Sequence, residues 1–174
     1  MHNSNSRLFR SSLALLFSHL LFVCAFGVRA GQALELGDTA PDWILSNSRG
    51  EHVSFYQDSA DRRAVLLFWA TWCPFCAELM PELEKLRAQI ESDGVRFYAL
   101  NIWEDSDPLQ HMQNNGFDFT LLLDADQVAK RYNVRSTPGV FVVNADKSIE
   151  YIRTKGSSMA EVYRAVEAAL SGER

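Results

Sequence analysis

The sequence is short of cysteine and of positive charge. Three cysteines among 174 residues are too few for the disulfide framework that stabilises many small secreted domains. The 17 Lys and Arg are outnumbered by 22 Asp and Glu, and a net charge of −5 argues against binding to nucleic acid phosphates. Aromatic residues are not scarce: 11 Phe, 5 Tyr and 4 Trp supply ample apolar surface for folding, which excludes a disordered chain.

The first 30 residues contain no acidic residue at all. Arg7 and Arg10 precede an apolar run from Leu13 to Val28, and small residues follow that run. This layout is typical of a secretory signal peptide, and the run is shorter than the roughly 20 apolar residues of a membrane-spanning helix. We therefore predict an exported protein in which residues 1–30 are a signal peptide or, alternatively, a membrane anchor. Cys24 belongs to this segment.

No repeat or low-complexity linker divides the remainder, so residues 34–174 are predicted to form one domain. Without residues 1–30 the chain carries 14 basic and 22 acidic side chains, a net charge of −8. The apolar runs predict strands at 64–70, 95–102, 119–123, 140–143 and 149–154. Amphipathic segments predict helices beginning near Phe75, Leu109, Asp124 and Ser158, the last two with capping boxes. Residues 44–55 predict a small additional hairpin.

This order of elements predicts an α/β fold. Strands that alternate with helices favour parallel pairing, and the final two strands flank the hairpin signature 144–147. We therefore expect a mixed sheet covered by helices on both faces, with an N-terminal hairpin extension and a central helical insert at 109–115.

Cys73 and Cys76 lie at the junction of the most apolar predicted strand and the helix that follows it. Unpaired N–H groups at a helix start favour negative charge, so we predict a Cys73 thiolate with a pKa below the usual value of about 8.5. Pro74 suits the first helical turn because it has no N–H to leave unpaired. Cys76 lies one turn further, where it can attack a mixed disulfide formed at Cys73. Cys73 is the predicted nucleophile and Cys76 the predicted resolving thiol.

The same two cysteines allow other interpretations. A structural disulfide across so short a loop would restrain the unfolded chain much less than the about 2–4 kcal/mol of longer loops. Zinc needs about four ligands, and His52 and His111 are the only other candidates beside the pair, so no metal site is predicted. Transient Cu(I) binding by the two thiolates stays open as an alternative.

The segment FWATWCPFC at 68–76 resembles the active-site region of the thioredoxin superfamily and, more narrowly, of the exported TlpA/ResA-like thiol–disulfide oxidoreductases. The resemblance extends to GDTAP at 37–41, VRSTP at 134–138 and FVVN at 141–144. It implies a thioredoxin-like fold and a redox-active Cys73–Cys76 disulfide, with no other cofactor. It also implies a cis peptide bond before Pro138, close to the dithiol, where the backbone of Thr137 pairs with the substrate.

The resemblance also points to Glu104 as a third catalytic residue. Cytoplasmic thioredoxins carry a buried Asp where this chain has Leu67, and the exported group uses an acidic residue after the next strand instead. We expect partial burial beside Trp103 to raise the pKa of Glu104, so that the carboxyl group exchanges protons with Cys76. A solvated acidic turn before the next helix is the alternative.

Aromatic residues around the dithiol divide into two groups. Trp69 lies in an apolar run and is predicted to pack in the core. Trp72 and Phe75 are predicted to flank an exposed Cys73 sulfur and, with Pro74, to contact the substrate polypeptide.

Together these features predict a periplasmic enzyme that reduces disulfides in cysteine-containing exported proteins, such as apocytochrome c or copper-site proteins. A monomer is expected, supplied with electrons by a membrane partner, with no nucleic acid bound. A Cu(I) metallochaperone and a peroxiredoxin-like peroxidase are the alternatives. Gly139 stands where relatives often carry Thr, which leaves the shape of the groove beside Pro138 open.

Overall fold

The computed structural model of the protein describes residues 33–90 and 94–172. The predicted signal peptide or anchor and Cys24 lie outside these residues, so both stay predictions. In chain order the elements are β1 (Ile44–Ser46), β2 (His52–Ser54), α1 (Phe55–Asp58), β3 (Arg63–Trp69), α2 (Pro74–Gln89), β4 (Val95–Asn101), α3 (Pro108–Asn115), β5 (Thr120–Leu122), α4 (Asp126–Arg131), β6 (Gly139–Val143), β7 (Ile149–Ile152) and α5 (Met159–Ser171). Among the described helices, none combines the length and the apolar character needed to cross a bilayer.

The main sheet has five strands in the order β5-β4-β3-β6-β7. β3 pairs with β4 and β4 with β5 in parallel, whereas β6 runs antiparallel to both β3 and β7. The C-terminal ends of β3 and β4 therefore lie next to the N-terminal end of β6, along the border of the sheet where these strands terminate. We call this the dithiol edge and define it as residues 70–76, 101–104 and 137–139.

Both faces of the sheet are covered, as the alternation along β3 shows. Val65, Leu67 and Trp69 pack in a cluster with residues of α2 and α5, such as Leu83 and Val162. The alternate residues Ala64, Leu66 and Phe68 pack on the opposite face, in a cluster that also contains side chains of α1 and α4. All six are buried, which explains why the run lacks a polar side and confirms a central strand.

The predicted additions to the sheet are also present. β1 and β2 form a separate antiparallel hairpin before the main sheet, although Phe55 begins α1 instead of extending the strand. α3 is the central insert between β4 and β5, and it ends where Gly116 adopts a left-handed φ of 66°. The mixed sheet with covered faces, hairpin and insert confirms the predicted fold class.

One of the two predicted helix caps is wrong. Ser158 and Glu161 form the expected capping box at the start of α5. Asp124 caps nothing, because α4 begins later, with Ala125 as its N-cap and no side-chain hydrogen bond there. The backbone of Asp124 is in the left-handed region, with φ at 53°, and not in the extended conformation typical of a capping residue.

Candidate active site

The reactive pair lies at the start of α2. Cys73 is the N-cap residue of the helix, with extended backbone, and Pro74 takes the first helical position. A disulfide joins Cys73 to Cys76, with the Cα atoms 5.2 Å apart. The backbone N–H of Cys76 donates to Sγ of Cys73 at 3.1 Å. The Cys73 sulfur therefore lies at a helix N-terminus, as the sequence predicts.

The expectation of an exposed Cys73 is wrong for the disulfide form. Cys73 is only 2% exposed and Cys76 only 1%, because both belong to the core cluster on the α2 and α5 face of the sheet. The neighbouring side chains are exposed instead: Trp72 by 49% and Phe75 by 55%. The residues that directly precede and follow the Cys73–Pro74 pair therefore expose aromatic surface.

Thr137 and Pro138 lie at the same edge of the sheet. The peptide bond between them is cis, as the resemblance implied. Gly139 begins β6 and is paired with Phe68 of β3, the strand that leads to Cys73. Thr137 is half-buried and Pro138 is buried. The antiparallel pairing of β3 with β6 therefore brings the cis-proline segment to the end of the sheet that carries the dithiol.

The residue after Pro138 is Gly139, and neighbouring side chains leave little room there for a Cβ atom. A Cβ built on Gly139 would lie 2.9 Å from Cγ1 of Val134 and 3.3 Å from Cβ of Phe68. Both distances are too short for an unstrained contact, so the threonine that relatives often carry would require Val134 to move. Close packing against Val134 and Phe68 is therefore the physical reason for a glycine at this position.

Glu104 lies directly after β4 and accepts five hydrogen bonds. Its Oε2 accepts from the backbone N–H of Thr71 at 3.0 Å and from Nδ2 of Asn101 at 2.6 Å. Its Oε1 accepts from the Thr71 hydroxyl at 2.6 Å and from the backbone N–H groups of Asp105 and Ser106. The carboxylate therefore fastens the segment before Cys73 to the end of β4.

These contacts contradict the expected direction of the Glu104 pKa. Burial raises this pKa, but the hydrogen bonds from Thr71, Asn101 and Asp105 together outweigh burial and hold the pKa below its ordinary value. A solvated acidic turn does not describe Glu104 either, because the residue is half-buried and fully hydrogen-bonded. Its part in proton transfer is a separate question and stays a prediction.

Trp103 is a residue of the site to which the sequence analysis assigned no role of its own. Its backbone is left-handed, with φ at 52°, and its side chain is 39% exposed. Its carbonyl accepts a hydrogen bond from Nε1 of Trp72 at 2.8 Å, and its N–H donates to Oδ1 of Asp126 at 3.3 Å. Nothing in the local sequence signals a left-handed tryptophan, although a lone Trp before an acidic run was visible.

Trp69 and His111 pack against each other beneath the site. Trp69 is fully buried, which confirms its predicted core position, and its ring centroid lies 5.3 Å from that of His111. Within residues 33–90 and 94–172, no three or more His, Cys, Asp or Glu side chains lie close enough together to hold a metal ion.

Comparison with known proteins shows the family of this chain. The model of the AhpC/TSA family matches residues 36–152. The chain belongs to the AhpC/TSA family. Its relatives include the thioredoxin-like protein YneN of Bacillus subtilis, 32% identical over 123 residues that cover 68% of this chain and 71% of YneN. The thiol–disulfide oxidoreductase ResA of Geobacillus kaustophilus is 29% identical over 137 residues, 78% of each chain.

A solved structure confirms the thioredoxin-like fold. The thioredoxin-family thiol:disulfide interchange protein of Chlorobium tepidum superposes with a TM-score of 0.66 at 21% identity, covering 79% of this chain and 99% of the other. The family match and the named relatives identify the chain as a thiol–disulfide oxidoreductase.

Proposed function

We propose that Cys73 and Cys76 are the catalytic pair of this oxidoreductase, and that they reduce disulfides in exported proteins. One observation carries the proposal: the Cys73 sulfur lies at the N-terminus of α2, where it accepts the N–H of Cys76. The same N–H groups and helix dipole stabilise a thiolate when the pair is reduced. Cys76 is bonded to Cys73 in the disulfide form, so its sulfur can reach Cys73 to resolve a mixed disulfide.

The exchange proceeds in two displacements. The Cys73 thiolate attacks one sulfur of the substrate disulfide, whose S–S bond breaks, and the electron pair leaves with the other sulfur, which takes up a proton. The Cys76 thiolate then attacks the Cys73 sulfur of the mixed disulfide. The Cys73–Cys76 bond forms and the second substrate thiol is released. Two electrons have then passed from the enzyme to the substrate, and its two thiols have gained two protons: one that Cys76 released and one from solvent, since the Cys73 thiolate had already lost its own.

The residues around the pair hold the substrate polypeptide in this proposal. Trp72, Pro74 and Phe75 present an apolar surface beside the disulfide, and two of them are about half exposed. Across the dithiol edge, the backbone of Thr137 pairs with an extended substrate segment next to Pro138. The substrate disulfide then lies between the first turn of α2 and the cis-proline segment.

Glu104 is the third catalytic residue of the proposal. Glu104 is ionised at neutral pH, as a proton acceptor must be, and its lowered pKa makes it a weaker base than a carboxylate with an ordinary pKa. We infer that it accepts the Cys76 proton when that thiol becomes a nucleophile. Its bonds to Thr71 give it a positioning role as well, because they fix the residues that lead into Cys73.

The proposed setting is the periplasm. It is supported by residues 1–30, whose composition is typical of an export signal or anchor, and by the resemblance to TlpA/ResA-like proteins. Each turnover leaves Cys73 and Cys76 oxidised, so a membrane protein that donates electrons must reduce them again. Apocytochrome c and copper-site proteins are the proposed substrates, the enzyme acts as a monomer, and the disulfide is its only redox group.

The deciding experiment is the reduction potential of the Cys73/Cys76 couple, measured against glutathione or dithiothreitol buffers. Members of this fold range from about −270 mV for reductants to about −120 mV for strong oxidants. We expect a value near the reducing end, and reduction of a protein disulfide that the Cys73→Ser variant does not perform. A potential near −120 mV would overturn the direction proposed.

The two alternative functions give different results with the same reduced protein. Tight Cu(I) binding with little disulfide reduction would indicate a metallochaperone, since two thiolates suit Cu(I). Turnover of hydrogen peroxide coupled to oxidation of Cys73 and Cys76 would indicate a peroxidase. Either result would replace the proposed reductase.

A further inference from the structure

We propose that Trp103 determines specificity by selecting substrate polypeptides with an apolar side chain next to the disulfide to be reduced. The inference rests on the proposed function, because it names the substrate class of the same site. Trp103 was not among the residues that the sequence predicted to bind substrate, and its placement follows from the structure alone.

Trp103 is joined directly to the segment that carries the reactive cysteine. Its carbonyl oxygen lies 2.8 Å from Nε1 of Trp72, the residue immediately before Cys73. Six large apolar side chains are exposed in the described residues, and three of them, Trp72, Phe75 and Trp103, belong to the dithiol edge. The cysteines themselves are buried, so the exposed apolar surface that this part of the fold offers a polypeptide consists of these rings.

The fold itself does not call for a tryptophan at this position. A φ of 52° is rare for a bulky residue, and glycine adopts it without steric cost. Two hydrogen bonds hold the backbone there, from the N–H to Asp126 and from Trp72 to the carbonyl, and any residue could form both. The part of Trp103 that the backbone does not need is its indole ring, which is 39% exposed and belongs to a residue bonded through its carbonyl to the Trp72 side chain.

The surroundings of the ring narrow the class of substrate. Asp105 lies two residues after Trp103, and Oδ1 of Asp126 accepts the Trp103 N–H at 3.3 Å. Both carboxylates would repel an acidic substrate residue next to Trp103. The indole offers an apolar face of the kind that pairs with aromatic and aliphatic side chains. We therefore assign an apolar residue flanking the substrate cysteine as the group that Trp103 contacts.

The test compares peptides that each contain one disulfide and differ only in the residue next to the first cysteine: Phe, Ser, Lys or Asp. The full-length reduced enzyme is expected to reduce the Phe peptide with a kcat/KM about tenfold above that for the Ser peptide. Trp103→Ala and Trp103→Gly should bring this ratio to about one, and Trp103→Phe should retain most of it. 2-Hydroxyethyl disulfide, which has no side chain to recognise, reports the reactivity of the dithiol itself in each variant, and the peptide ratio is read relative to that rate.

Leu36→Ala is the matched control. Leu36 is 66% exposed, and its neighbour Gly37 bonds to Ile149 at the start of β7, the end of the sheet opposite the dithiol. Removing this exposed apolar side chain should leave the peptide preference intact. A change as large as that in Trp103→Ala would show that the preference does not come from the dithiol edge.

A second readout checks the conformation independently of activity. Because glycine tolerates the left-handed φ and alanine does not, Trp103→Gly should melt about 2–4 °C above Trp103→Ala, although both lose peptide selection. If the peptide preference depended on the stability of the protein, it would differ between the two variants. If it depends on the indole ring, both variants lose it equally.

The outcomes separate this inference from the proposed function. An enzyme that reduces 2-hydroxyethyl disulfide but treats all four peptides alike, or prefers the Lys or Asp peptide, overturns the role of Trp103 and leaves the reductase standing. A preference for Phe that survives in Trp103→Ala overturns it too. An enzyme that reduces none of these disulfides overturns the reductase itself.

Discussion

Glu104 shows how a single side chain can connect two distant segments at the dithiol edge. Its carboxylate accepts donors from Thr71, which precedes the dithiol, and from Asn101 at the end of β4. Ionisation is needed for these bonds, because a protonated carboxyl group loses acceptor capacity. The stability of the site should therefore depend on the protonation of this residue.

Substituting Glu104→Gln should lower the Tm at neutral pH and weaken the dependence of Tm on acid. The folded-state pKa of Glu104 is below its ordinary value, so its contribution is fully present above the unfolded value of about 4.3. That contribution is lost as the pH falls through the folded pKa. The difference in Tm between wild type and variant, measured from pH 7 to pH 3, should therefore shrink toward low pH. Glu78→Gln, on the exposed surface of α2, is the control for the loss of one carboxylate charge.

The kinetics of Glu104→Gln test its role in proton transfer. If Glu104 accepts the Cys76 proton, the variant should exchange disulfides more slowly across pH 6–9, by roughly 10²-fold for a full general-base contribution. Rates equal to wild type at every pH in this range would remove Glu104 from the mechanism and leave it only the structural role above.

Among single residues, sequence reasoning succeeded where the chemistry is local. Cys73 caps α2 and Pro74 begins the helix, because both positions are decided by adjacent residues. It failed for the pKa of Glu104, because one of the donors that lower this pKa is Thr71, 33 residues away in sequence. No pattern around Glu104 reveals that partner.

At the scale of elements, β3 and β6 pack closely where they meet next to the site. Gly139 pairs with Phe68, and the methyl groups of Val134 occupy the space that a side chain at 139 would need. The stiff β-branched side chain of Val134 has few alternative rotamers with which to make room. The position therefore requires glycine for close approach, although its φ is not in the left-handed region.

Gly139→Ala should destabilise the protein by about 1–3 kcal/mol, the usual cost of overpacking. Urea unfolding of the single variant measures this loss. The double variant with Val134→Ala should regain part of it, since the shortest contact is then removed, and Val134→Ala alone supplies the reference for the cycle. Additive effects of the two substitutions would show that the contact with Val134 is not the cause.

The elements themselves were predictable to different degrees. The continuous apolar run of β3 and the amphipathic pattern of α2 identify both, since burial on two faces and on one face leave different patterns. The start of α5 was found because its capping box is local. The start of α4 was not, because Asp124 turns into the left-handed region before the helix begins, and spacing alone does not show that.

At the scale of the whole molecule, the two core clusters together use residues from Ala40 to Val166. Every strand of the five-stranded sheet lies within this range, and Leu34 is partly buried against one of the clusters. The part of the chain from Ala33 onward therefore contains a complete hydrophobic core.

A shortened chain that begins at Ala33 should fold and react as the full chain does. We expect the same Tm by circular dichroism and the same kcat/KM with a peptide disulfide, because residues from Ala33 onward hold both core clusters and the whole dithiol edge. A shortened protein that aggregates, or melts many degrees lower, would show that residues 1–32 contribute to the folded domain.

The sequence by itself determined the strand and helix that hold Cys73 and Cys76, the helix cap at Cys73, and the fold class. These features depend on residues close together in the chain, whose spacing records burial and capping directly. The tertiary structure decided the burial of the cysteines, the low pKa of Glu104, the glycine at 139 and the exposed Trp103 beside Trp72. Each of these depends on atoms that pairing of β3 with β4 and β6 brings together from distant parts of the chain, and contacts of that kind leave no pattern in one sequence.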